Sequence, residues 1–253
     1  GTLTITDSVY TAQTLKWTVA EAITTDGTWI AGYGGTKRGN RAFVTKVIGV
    51  TTGTDGELTL ELDETAVLPN LDGGQFGEAY AIVMDEDENI YVAGRSDSPK
   101  GPQACIWYYD STDADNPWVV LGLGGLSKKK LDSVATGIAV RPDSEVGSLI
   151  VVGNSMSVQE DSEAFVWAGN PLFDGDTQDE QSYMLRLEYI ITKTGAGEAS
   201  SMGSTWSLVE ATGVSCNGYE TRVVGWGVNP EEGIEAWLVT GFPYDEPDLS
   251  YEE

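Results

Sequence analysis

The sequence predicts an all-β protein, a four-bladed β-propeller of four-stranded antiparallel blades. Three observations predict it. One pattern of about 60 residues occurs four times along the 253-residue chain. Each copy reads as short apolar strands separated by turn residues, with no sustained helical periodicity. The opening strand of every copy carries small residues, which a crowded central axis requires.

The four copies span approximately residues 20–62, 79–121, 135–191 and 211–242 of a single domain. The first begins AEAITTDGTWIAGY and continues into RAFVTK; the second is AYAIVMDEDENIYVAGR and then QACIWYY. The third is ATGIAVRPDSEVGSLIVVGN and then EAFVWAG; the fourth is ATGVSCNGYETRVVGW and then EAWLVTG. Ala42, Ala104, Ala164 and Ala236 anchor the third strand of each copy. The paired small residues of the first strands are Ala20 and Ala22, Ala79 and Ala81, Ala135 and Gly137, and Ala211 and Gly213.

Turn chemistry supports the strand assignment. Asp26-Gly27 and Asn217-Gly218 are two-residue hairpin signals. Fourth strands are expected at Glu57–Leu62, Trp118–Leu121 and Tyr183–Ile191. The fourth copy ends near Phe242, before an acidic tail at 243–253. The segments Thr2–Thr6 and Thr14–Thr18 have strand character but no repeat of their own. Residues 1–18 are therefore expected to close the last blade, since an open row of sheets leaves unprotected edges.

These residues resemble the extracellular HAF repeat. The carrying motifs are LGLGGL at Leu121–Leu126, then SVATGIAV, VVGN and EAFVW, and the third copy carries them best. The resemblance implies a bacterial or archaeal secreted β-propeller. It implies no catalytic residues.

Composition narrows the function classes. The formal net charge is −26, from 14 Lys+Arg against 40 Asp+Glu, with no His. Such a surface disfavours nucleic acid and anionic membranes, whose binding needs basic groups. Without His, Ser/His and Cys/His catalysis are excluded. No apolar stretch approaches the ~20 residues of a membrane span. The chain starts at Gly1, and removal of a signal peptide is one explanation. Cys105 and Cys216 fall in the second and fourth copies, at positions that other copies fill with apolar or small residues. Both are expected to be reduced and largely buried.

Several residues are candidates for binding. Asp174, Asp176, Asp179 and Glu180, in the insertion of the third copy, alternate oxygens in a way that suits weak Ca²⁺ binding, in the ~10⁻⁴–10⁻³ M range of extracellular modules. The run Asp85–Asn89 begins like a calcium loop but lacks its later ligands, so a solvated turn is the better reading. Tyr33, Arg95, Asn154 and Trp226 follow the repeated Gly and open the loop toward the third strand; an aromatic there suits stacking on a sugar. Trp107, Trp167 and Trp237 read as core. Forty acids allow any number of carboxylate pairs, so glycosidase chemistry cannot be assigned by spacing.

Basic residues cluster on one face: Lys37, Arg38, Arg41, Arg95, Lys100, Lys128, Lys129 and Lys130. In so acidic a chain this patch suggests docking on an acidic surface of a second copy. Two unlike patches make rings or open filaments. The expected function is a non-catalytic extracellular structural or adhesive propeller that self-assembles. A carbohydrate-binding propeller and a carboxylate-dependent polysaccharide-degrading enzyme are the alternatives. No cofactor is expected beyond Ca²⁺, and the partners are a second copy or an extracellular glycan.

Overall fold

The computed structural model describes residues 15–52, 58–110, 117–127, 131–141, 149–158, 161–169, 171, 183–194, 206–217 and 220–241. Four antiparallel sheets follow one another along the chain. The first contains β1 (Thr18–Ile23), β2 (Trp29–Gly35), β3 (Asn40–Thr52) and β4 (Leu58–Val67). The second contains β5 (Gly77–Met84), β6 (Ile90–Ser96), β7 (Gln103–Tyr109) and β8 (Trp118–Gly124). The third contains β9 (Ser133–Val140), β10 (Leu149–Met156), β11 (Ser162–Gly169) and β12 (Tyr183–Arg186). The fourth contains β13 (Ser207–Cys216), β14 (Thr221–Val228) and β15 (Ile234–Thr240). Every sheet is a simple up-and-down meander, the strand order of a propeller blade.

One device recurs in all four sheets. Ala20 pairs with Gly32, Ala79 with Gly94, Ala135 with Gly153 and Ala211 with Gly225. Directly after each of these alanines the register slips by one residue, leaving Glu21, Tyr80, Thr136 and Thr212 as four equivalent β-bulges. The bulge drives a first-strand carbonyl against the second strand. A Cβ on Gly32, Gly94, Gly153 or Gly225 would sit 2.0, 2.0, 1.9 or 2.0 Å from the carbonyl oxygen of Val19, Glu78, Val134 or Glu210. The repeated glycine is thus a consequence of close backbone approach.

The sheets pack face to face in chain order, and the period-two alternation sorts side chains between two seams. In the second sheet, Val92, Cys105 and Trp107 face the first sheet's Ala31, Ala42 and Val44. Tyr91, Ala93 and Ile106 face the third sheet's Val151, Phe165 and Trp167. From the third sheet, Ile150, Val152 and Val166 then meet Val223, Trp237 and Val239 of the fourth. Each sheet therefore has a rear face toward its predecessor and a front face toward its successor. The LGLGGL segment ties two blades together: Leu126 N donates to Ser155 Oγ, and Ser133 Oγ donates to the Gly124 carbonyl.

Two expectations need correction. The run Tyr183–Ile191 is strand only to Arg186; Leu187–Thr194 forms a helix, α1. Leu187, Ile190 and Ile191, at helical spacing, are buried in the seam between the third and fourth sheets. The segment Thr14–Thr18 does not join the last blade from Leu15 onward. Lys16 N donates to the Gly35 carbonyl and Gly35 N to that of Trp17, so this stretch extends the first sheet. Thr2–Thr14 lie outside the described residues. Among the described residues the fourth sheet has three strands, with β15 at its edge.

Candidate functional site

The bulges stand beside four side chains at equivalent register positions of the four sheets. Tyr33, Arg95, Asn154 and Trp226 each follow the repeated glycine, and each sits opposite the residue before the first-strand alanine: Val19, Glu78, Val134 and Glu210. The period of two puts all four on the same relative face of their sheets.

Two of the four come together. Arg95 grips Glu78 through Nε and Nη2, both at 2.8 Å, and its guanidinium stacks 5.2 Å from the Phe76 ring centroid. Glu78 also accepts from the Tyr80 hydroxyl and from Asn40 Nδ2. The Tyr33 ring meets Tyr80 edge-on at 6.0 Å, and Trp17 closes the other side at 6.0 Å. This cluster, Trp17–Tyr33–Tyr80 around Glu78 and Arg95, bridges the first and second sheets.

Its electrostatics describe a committed carboxylate. Burial pushes the Glu78 carboxyl up, but the bonds from Tyr80 and Asn40 and the Arg95 charge outweigh it and hold the group below its usual range. Glu78 is only 6% exposed. Burial, with the Glu78 bond, raises the Tyr80 phenol. Burial also raises Tyr33, helped by the Glu21 and Glu78 charges. An ionised carboxylate holding this many donors is an acceptor with little capacity left to shuttle protons. Asn40 was not singled out from the sequence; its place opposite the next blade's bulge is visible only once the sheets are stacked.

The other two post-glycine residues are engaged separately. Trp226 Nε1 donates to Glu210 at 3.1 Å, and Asn154 Nδ2 to Ser162 Oγ at 3.1 Å. The expected ligand ring is thus two linked residues and two with partners of their own.

The acidic turn at Asp85 behaves as a self-capped hairpin. Asp85 accepts from Asp87 N, Asn89 N, Asn89 Nδ2 and the Tyr91 hydroxyl, and Glu88 takes a left-handed φ of 64°. Asp174, Asp176, Asp179 and Glu180 lie outside the described residues, as do Lys128, Lys129 and Lys130. Among the described residues no group of three or more Cys, Asp or Glu is placed to hold a metal. The basic cluster is smaller than its sequence suggests: Arg95 is spent on Glu78 and Arg41 Nη2 donates to the Leu68 carbonyl.

Cys105 is fully buried and free, its thiol pushed up by burial. Cys216 is free but only half-buried, less than expected, because it sits near the outer end of β13. Trp107, Trp167 and Trp237 are core residues.

No family model matches the chain, and no curated protein does. A solved structure of a levansucrase mutant from Bacillus subtilis is similar at a TM-score of 0.38 and 8% identity, over 92% of this chain and 69% of that one. A likeness of that size carries nothing about activity to this chain. Among the described residues no helix is long and apolar enough to cross a membrane.

Proposed function

We propose that this chain is a non-catalytic extracellular structural module, built from four propeller-type blades, that assembles with copies of itself. The observation that carries the reading is one open blade surface. The front faces of the first three sheets are covered, with Ala31, Ala93 and Val152 fully buried. Their counterpart on the fourth sheet, Val224, is 44% exposed; its partner Leu238 is 56% exposed, and Ile234, further along the same face opposite Val228, is 75% exposed. Contiguous apolar surface on a soluble domain marks a contact surface. The blades are of one kind and pack in one direction, so a fifth partner surface continues the series. Sedimentation velocity of the purified chain over a wide concentration range tests this. Growth of the sedimentation coefficient with concentration supports self-assembly; a single monomer boundary throughout refutes it.

A carbohydrate-binding reading is the second, and the Trp17–Tyr33–Tyr80 cluster favours it. Exposed Trp17, backed by half-buried Tyr33 and Tyr80 beside carboxylates, suits the apolar face and hydroxyls of a sugar. Glycan-array binding by a monomeric chain, lost in Tyr33→Ala, distinguishes this reading from assembly.

A further inference from the structure

We infer that the open front of the fourth sheet seats the rear of the first sheet of a second copy, repeating the seam that already joins the four blades. This rests on the self-assembly reading and names the two surfaces that meet.

The rear of the first sheet is the matching half. Ile82 and Ile138, on the first strands of the second and third sheets, are buried against the preceding blade. Their counterpart Ile23 is 55% exposed, and Ala20 beside it is exposed where Ala79, Ala135 and Ala211 are fully buried. Phe43 is already covered by Leu15 and Val67, so the offered surface runs along β1 and β2. Both halves of one seam are thus present and apolar in the same molecule. Because both stay exposed in the isolated chain, its own blades do not cover them.

The existing seams give the register. At the bulge of the third sheet, Thr136 Oγ1 donates to the Ala211 carbonyl of the fourth, and also lies 3.4 Å from its own-sheet Val152 carbonyl. Thr212 is the same bulge residue one blade later. It keeps the own-sheet contact, to the Val224 carbonyl at 3.4 Å, and Ala20 holds the repeat position of Ala211. Gly137 lies against the Gly213 backbone of the next blade. The same step carried forward sets Gly213 against Ala22 of the second copy.

A second inter-blade contact sits at the start of each third strand. Asn40 Nδ2 donates to Glu78, Ser133 N to the Pro102 carbonyl, and Ser162 Oγ to the Val209 carbonyl. In the fourth sheet this position is Ile234, which has no side-chain donor, and the first-sheet counterparts of its targets are Thr18 and Val19, the latter 36% exposed. The side-chain donor of Asn40 and Ser162 is replaced by an apolar side chain, and Val19 stands in the place of Glu78. The contact joins unlike surfaces, so it propagates head to tail.

Two single variants of the full chain test this, each spoiling one half: Leu238→Glu on the front and Ile23→Glu on the rear. Both sites are exposed, so circular dichroism and thermal melting should match the parent, and the comparison is read only for variants that do. By sedimentation velocity the parent should assemble. Each variant alone should remain monomeric, at least tenfold weaker in association. An equimolar mixture should form dimers and stop there, because each variant retains one intact half. Assembly of the parent that either variant leaves unchanged would overturn the seam while leaving self-assembly standing. A parent that stays monomeric at every concentration would overturn both. Dimers formed by one variant alone would indicate a two-fold contact and would also overturn the seam.

Discussion

The glycine after the second-strand apolar run is the residue that most constrains this fold. Its side of the strand faces a carbonyl at about the contact distance of a hydrogen, so any Cβ requires the bulge to move. Gly153→Ala, which would set a Cβ 1.9 Å from the Val134 carbonyl oxygen, should therefore cost at least the upper part of the ~1–3 kcal/mol typical of overpacking. Urea unfolding of the variant beside the parent checks it. Glu78 gives a second prediction at this scale. Its carboxyl is held below the ordinary value by Tyr80, Asn40 and Arg95. The stability it contributes is complete above the unfolded-state carboxylate pKa and fades as the pH falls through the folded-state value. Glu78→Gln should lower the melting temperature near neutral pH, and the gap from the parent should narrow as the solution is acidified to about pH 3. A gap independent of pH would contradict the assigned ion pair. The repeated Gly and Ala were legible in the sequence as a pattern. Their cause, a bulge carbonyl, was not, because a one-residue register slip leaves no mark on an alternating sequence. Arg95 was legible as a position but not as a committed ion pair, because Glu78 and Asn40 come from different strands and different blades.

Among the elements, the meanders follow from short apolar strands and turn residues, and the first three strands of every copy are legible in the sequence. The element that departs is α1. Tyr183–Ile191 is apolar enough to pass for a strand, yet Leu187, Ile190 and Ile191 carry a helical interval with Glu188 in the first turn. Glu188 suits the positive end of the helix dipole. Tertiary packing decides the outcome, since the helix fills the third seam beside Leu208 and Trp237. Leu187→Ala should therefore cost about 2–5 kcal/mol, as for other fully buried leucines. The same substitution at exposed Leu238 should be nearly neutral to folding. Parallel denaturant curves of the two variants give the comparison. The first-sheet position of Lys16 and Trp17 was hidden for a related reason. A strand-like run does not say which edge it joins, and here the backbone groups of Gly35 decide it.

At the scale of the whole molecule, the four described sheets pack in three seams, and the outer faces of the first and fourth sheets stay exposed. The four repeats and their order were legible in the sequence. It did not show the open seam, because Val224, Leu238 and Ile23 look like every other core residue until the neighbouring sheets are placed. Surface charge suggested self-association through Lys128, Lys129 and Lys130; the apolar halves give a contact that burial itself can stabilise. A cysteine pair at the intermolecular counterpart of the Thr136–Ala211 contact probes the seam between copies itself. In a Cys216→Ser background, Thr212→Cys and Ala20→Cys are combined in one chain and oxidised, and the products are separated without reductant. The expected product is a ladder of covalent oligomers joined between chains. Monomers linked within one chain would show the ring closing on itself, and unlinked thiols would show no such seam at all; either result contradicts it.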